Sequence, residues 1–161
     1  MNLEIRSAQP GDVAQILTFI RGLADYEKLT DECTASEEKL RTTLFPEAPE
    51  APAAHCVLAF AENVPAGFAL YFYNYSTFLA QPGLYLEDLF VRPEWRSRGI
   101  GKALLLHLAK IANARGCGRM EWTVLDWNQP AIDFYEKLGA RRLKKWQVCR
   151  LTGDSLRQYA G

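Results

Sequence analysis

Histidine is scarce in this sequence, and closely paired cysteine is absent. Only His55 and His107 occur, far apart along the chain, which argues against an imidazole-built zinc site and against a histidine-based triad. The four cysteines, Cys33, Cys56, Cys117 and Cys149, include no Cys-x-x-Cys pair. They are expected to be reduced, mostly buried thiols rather than a disulfide framework. No apolar run approaches the ~20 residues of a membrane span. The charged opening stretch, Met1 to Arg6, does not read as a secretory leader. A soluble, cytoplasmic protein is the resulting expectation. Net charge is also missing, since 19 Lys and Arg balance 19 Asp and Glu. No repeat, low-complexity tract or aromatic-rich basic motif stands out, so nucleic-acid binding has little support.

What is present suffices for one domain with a substantial core: 161 residues, 48% of them hydrophobic. The reading is a single domain over residues 1–161. The balanced charge is unevenly distributed. Residues 25–50 hold eight acids against three bases, and residues 92–150 hold thirteen bases against five acids. Most of these charges belong to solvated faces. A sharper reading is a two-ended site, with an anion held by the later half and a cation near the acidic segment.

Hydrophobic spacing orders the elements. Leu3–Ala8 alternates as a strand, and Asp12 is a candidate N-cap for a helix from Val13 to about Lys28. Thr34-Ala35-Ser36-Glu37 has the capping-box form and predicts a short helix to about Thr43. The proline-bearing residues 46–54 read as a surface loop. His55–Glu62 and Ala66–Thr77 read as strands joined by a tight connection at Asn63-Val64-Pro65. Gln81-Pro82-Gly83 is expected to break the chain before a strand at Leu84–Val91. A helix is expected from about Gly99 to Ala114, and strands at Arg119–Leu125 and Arg141–Leu151. Between those two strands Asn128 caps a short helix that Gly139 closes, and a terminal helix is expected from Thr152 to Tyr159. The order β-α-α-β-β-β-α-β-α-β predicts an α/β (α+β) fold, a mixed, mostly antiparallel sheet with helices on both faces.

Two motifs carry the chemistry. Arg96-Ser97-Arg98-Gly99-Ile100-Gly101 links a strand to a helix, so backbone N–H groups and the positive end of the helix dipole meet there. It fails as a Walker A loop, because Arg96 stands where a glycine is needed and Ala103 where Ser or Thr is needed. Leu104 removes the third glycine of a dinucleotide fingerprint. The segment does fit Arg/Gln-x-x-Gly-x-Gly/Ala, an acyl-CoA pyrophosphate loop. Downstream, Asn128-Gln129-Pro130-Ala131-Ile132-Asp133-Phe134-Tyr135-Glu136-Lys137-Leu138-Gly139 fits Asn-x-x-Ala-x-x-Phe-Tyr-x-x-x-Gly.

On these two motifs and the element order, the chain resembles the GNAT family of acetyl-CoA-dependent N-acetyltransferases. Tyr85-Leu86-Glu87-Asp88-Leu89-Phe90-Val91, Tyr26-Glu27 and Gly67-Phe68-Ala69-Leu70-Tyr71 are similar to its diamine (spermidine/spermine) and thialysine branch. The resemblance implies acetyl-CoA as cofactor, with no metal. Its pantetheine arm would pair with the backbone of Leu89, Phe90 and Val91. The pyrophosphate would rest on Arg96, Ser97, Arg98, Gly99, Ile100, Gly101 and Lys102, and Asn128, Ala131 and Tyr135 would line the other side.

The reaction implied is direct acetyl transfer to a primary amine of a small metabolite: a diamine, a polyamine or a thialysine-like amino acid. An amine of pKa ~10 arrives protonated and must lose a proton. Glu87 is the candidate base, its pKa raised by the apolar strand around it, although it could instead only bind the cationic substrate. Tyr135 is the candidate acid toward the departing thiolate. Tyr26, Glu27, Glu87, Asp88, Glu121, Trp122 and Thr123 are substrate-site candidates. The polyamine enzymes carry acids where this chain has Ser76-Thr77 and Arg141-Arg142-Leu143-Lys144-Lys145, which disfavours long polyamines. A peptide N-acetyltransferase and a non-catalytic acetyl-CoA-binding module are the alternatives. The resemblance also implies a homodimer.

Overall fold

The computed structural model describes residues 1–161. It resolves into two compact units, Met1–Thr123 and Val124–Gly161.

The first unit is built on one five-stranded sheet. Its strands are β1 (Leu3–Ser7), β2 (His55–Ala61), β3 (Val64–Ser76), β4 (Gln81–Val91) and β5 (Arg119–Glu121), adjacent in that order. Pairing is antiparallel from β1 to β4, and β5 lies parallel to β4. Three helices accompany them: α1 (Val13–Tyr26), α2 (Glu37–Leu44) and α3 (Ile100–Ala114). The β4–α3–β5 crossover is what a parallel pair requires. The mixed, mostly antiparallel sheet expected from the sequence is present.

Alternation along the strands decides which helix each face meets. Cys56, Leu58, Phe68 and Phe90 form one buried cluster with Val13, Ile16, Leu17 and Phe19 of α1 and Leu40 and Leu44 of α2. Phe19 stacks on Phe68 with ring centroids 5.6 Å apart. The intervening residues Val57, Ala59 and Ala69 are fully buried too, pointing to the α3 face, where Leu104 and Leu108 are also buried.

Local chemistry moved several boundaries. Ser36, not Thr34, caps α2, its hydroxyl accepting from the Lys39 N–H at 3.2 Å. Asp12 precedes α1 without capping it, because its carboxylate holds Arg6 at 2.8 Å. The β2–β3 turn is Glu62-Asn63, with φ of 50° and 65°, the left-handed pair that a two-residue hairpin needs. Gln81-Pro82-Gly83 does not break the chain but begins β4, paired with Ser76, Tyr75 and Asn74. The reversal falls instead at residues 77–80, where the Ser76 hydroxyl accepts from the Leu79 N–H at 3.3 Å. β5 stops at Glu121 rather than Leu125, because its ladder with β4 ends at Tyr85 and Glu121.

The second unit carries α4 (Gln129–Lys137) and α5 (Gly153–Arg157). Asn128 caps α4 as expected, accepting from the Ala131 N–H at 3.4 Å, and Gly139 follows with φ of 93°. The strand expected at Arg141–Leu151 is absent. Residues 141–151 are all exposed and join no ladder. An apolar alternation such as Trp146 and Val148 makes a strand only where another strand supplies hydrogen bonds. Of the four free thiols, only Cys56 is buried, and Cys149 is exposed, against the expectation of mostly buried cysteines. No helix is long and apolar enough to cross a membrane.

Phe68 is fully buried and Phe78 fully exposed. Phe68→Ala is therefore expected to cost about 3–5 kcal/mol in a denaturant melt, and Phe78→Ala less than about 0.5 kcal/mol.

Candidate active site

The centre of the site is a defect in the sheet. Leu70 of β3 faces Asp88, but Tyr71 faces Leu86, so Glu87 is an extra residue bulged out of β4. A bulge lets two successive side chains escape strict alternation and re-aims them. Glu87 is exposed, and Asp88 is half-buried.

Their environments set different acidities. Burial, reinforced by the negative charges of Glu87 and then Glu27, pushes the Asp88 carboxyl up to about 6. No hydrogen bond or cation offsets this, so the neutral form is favoured over an unusually wide range. Glu27, at the C-terminal end of α1, is also raised, by burial. The desolvation expected of Glu87 thus falls on its neighbour Asp88. Glu27, Glu87 and Asp88 make an acidic patch that attracts an ammonium group. A carboxyl titrating near 6 within that patch can take up a proton close to neutral pH.

Beside the patch, β4 has an open edge. Its ladder with β5 ends at Tyr85, while β3 pairs the other edge through Val91. An extended ligand segment could lie along Leu89, Phe90 and Val91 as an added strand. The chain then turns through Ser97 (φ 60°) and Gly99 (φ 83°) into α3, whose first turn has no side-chain cap. The Ile100, Gly101 and Lys102 amides therefore open a 15-residue helix with its positive dipole end available. A Cβ on Gly101 would meet Leu89 and Val91 side chains only at ordinary contact distances of 3.7 and 3.8 Å. Packing within the chain does not demand a glycine there, whereas close approach of a phosphate would. The turn and the open edge together fit a pyrophosphate joined to an extended arm.

Two arginines of the turn are committed to the protein. Arg96 donates from Nε to the Val91 carbonyl at 2.9 Å, and its guanidinium lies 4.9 Å from the Tyr26 ring centroid and 5.6 Å from that of Phe90. It ties the turn to the end of α1, adjacent to Glu27. Arg98 lies 5.0 Å over Trp95. Glu121 is paired with Arg119 at 2.9 Å, followed by half-buried Trp122 and exposed Thr123.

The second unit carries the other expected residues. Asn128 is buried at the start of α4, and Ala131 and Tyr135 follow at spacings that share its face. Tyr135 packs against Phe134 with ring centroids 5.3 Å apart. Sequence reading missed the bulge and the Arg96–Tyr26 contact. The one signal for the bulge is the adjacent Glu87-Asp88 pair, which no regular half-buried strand should carry.

Comparison with known proteins identifies the family. Residues 23–140 match the acetyltransferase (GNAT) family. The thialysine N-epsilon-acetyltransferase of Bos taurus is 40% identical, covering 98% of this chain and 96% of its own. The L-ornithine N5-acetyltransferase NATA1 of Arabidopsis thaliana is 38% identical over 94% and 85% of the two chains. Among solved structures, an integron cassette protein from the mobile metagenome of V. cholerae superposes with a TM-score of 0.81 at 28% identity, covering 99% of this chain and 98% of that one. A family match across most of the length, joined to full-length relatives that share its activity, places this chain in the GNAT family as an acetyl-transferring enzyme.

Proposed function

We propose that this enzyme transfers acetyl from acetyl-CoA to the side-chain primary amine of a small diamino acid, of the thialysine or ornithine class. The observation that carries the reading is Asp88, a half-buried carboxyl in an apolar strand, with Glu87 and Glu27 near it. The family match crosses both compact units, which supports one catalytic domain.

Acetyl-CoA supplies an acetyl group activated as a thioester. For it, Leu89–Val91 offer backbone pairing and Ser97–Lys102 offer amides for the pyrophosphate, with Asn128 and Ala131 as further contacts by motif. Glu27 and exposed Glu87 attract the ammonium, with Tyr26 beside them. The amine must be neutral to attack. Its proton passes to the Glu87–Asp88 pair, and burial and raised pKa support Asp88 as the acceptor over Glu87. Tyr135 donates the proton that the departing sulfur requires. Glu121, Trp122 and Thr123 are the more peripheral substrate candidates, because Glu121 already holds Arg119.

A diamino acid suits these charges better than a polyamine. Ser76 is buried and caps the hairpin turn, so it offers no charge to a second ammonium. The exposed basic run Arg141–Lys145 is a candidate partner for a carboxylate. Four free thiols support a reducing, cytoplasmic setting. Exposed Trp146, Val148 and Leu151 support a homodimer.

If Asp88 is the acceptor, kcat/KM rises as pH climbs through about 6, where its carboxyl ionises. Asp88→Asn should then remove that inflection and lower the rate about 10²–10⁴-fold, while Glu87→Gln retains an inflection, moved to lower pH as one neighbouring charge is lost, and raises KM for the amine. The opposite pattern would give the base role to Glu87. Tyr135→Phe should lower turnover by about 10²-fold with acetyl-CoA affinity unchanged; equal turnover would remove its acid role.

A further inference from the structure

A cavity lies at the other end of α3. It encloses about 440 Å³ and is lined by the loop Ala51-Pro52-Ala53 together with His55, Phe72, Tyr73 and Arg115. That is within the size of small-molecule sites, roughly 300–1,000 Å³. Arg115 is the C-cap of α3, and the pyrophosphate-type turn is at its N-terminal end. Fifteen helical residues separate the two by roughly 22 Å. The register also sets the cavity apart from the acidic patch. His55 pairs with Tyr71 and Tyr71 with Leu86, one position out of phase with Leu70 and Asp88. Leu70 packs on the α1 side, so His55 and Tyr73 belong to the opposite face, and Phe72, in phase with Leu70, borders the cavity from the strand's other side.

Its chemistry is cationic and aromatic. The Arg115 guanidinium stacks 4.3 Å from the Tyr73 ring centroid. His55 lies between Tyr71 and Tyr73, with ring centroids 5.4 and 5.6 Å away. No carboxylate forms an ion pair with Arg115. Burial and then the positive charge of Arg115 hold the His55 imidazole below its ordinary range. Burial and then Tyr73 push the Tyr71 phenol up to about 12, against the opposing pull of the Arg115 charge. Arg115 is the one formally charged side chain lining the cavity, which gives it a positive character. Stacking on Tyr73 fixes the plane of the guanidinium and leaves its N–H edge for a planar anion. The 51–53 loop and Phe72 supply apolar walls.

We propose that this cavity is a second ligand site, which binds a small organic carboxylate with an apolar body through Arg115, His55 and Tyr73. The carboxylate takes the guanidinium edge, and the apolar body lies against Phe72 and the 51–53 loop. A bare inorganic anion would satisfy the charge and waste the walls. A neutral isostere would fill the space and leave Arg115 unpaired.

Calorimetric titration of the full-length protein with benzoate, benzamide and inorganic phosphate, with the His55 imidazole resonances followed by NMR, tests this. Benzoate should bind saturably with a Kd of about 1 mM or below and move the His55 resonances. Benzamide and phosphate should bind at least about tenfold more weakly. Arg115→Gln should weaken benzoate by a similar factor while leaving acetyl transfer unchanged. Ala53→Asp, on an exposed lining residue, should weaken it independently and covers the case in which the Arg115 variant fails to fold. Absence of saturable benzoate binding, equal affinity for benzamide or phosphate, or unchanged benzoate affinity in both variants would overturn the proposal. The acetyl-transfer reading would survive any of these results, since no residue of this cavity belongs to it.

Discussion

Holding a carboxyl inside an apolar strand is the constraint on which the site depends. Asp88 sits in β4 with Phe90 and Leu86 as near neighbours in sequence, and Glu87 and Glu27 add negative charge around it. Such a group is unfavourable to ionise, and the fold tolerates it without a compensating cation. The sign of the stability effect follows from linkage. The folded carboxyl holds its proton up to about 6, whereas an unfolded aspartate releases it near ~3.9. The folded state therefore binds more protons between those values, and stability declines as pH rises through that window. A group that lowers stability at neutral pH, beside an open strand edge, supports the proposed role of proton acceptor.

The rest of the first unit serves that position. The bulge at Glu87 lets two adjacent carboxyls leave the regular pleat, and the early end of β5 leaves the β4 edge open only after Tyr85. Arg96 spends its charge on the Val91 carbonyl and the Tyr26 ring. It joins the turn before α3 to the end of α1 that carries Glu27. One side chain thus connects the cofactor-type turn with the acidic patch. For the proposed pyrophosphate contact, the backbone amides at the start of α3 are the uncapped donors.

Much of this was legible from sequence because it rests on local rules. The alternation of β1 to β3, the periodicity of α1 and α3, and the Asn128 cap are all set within a few residues. The GNAT resemblance rested on two motifs whose glycines and asparagine have backbone roles. What escaped depended on partners distant in the chain. Pro82 reads as a breaker, yet it is a strand residue because β3 extends far enough to pair with it. Residues 141–151 read as a strand, yet they have no ladder. Glu87 and Asp88 were both visible, but which one loses water depends on a register shift that alternation alone does not encode.

The most direct measurement is the titration of the Asp88 side-chain carboxyl by carbon-13 NMR in the full-length protein. A midpoint near 6, falling on Glu27→Gln substitution as one neighbouring charge is removed, is the predicted result. A midpoint near the ordinary ~3.9 in the wild-type protein would contradict the account, because Asp88 would then be a solvated carboxylate like any other.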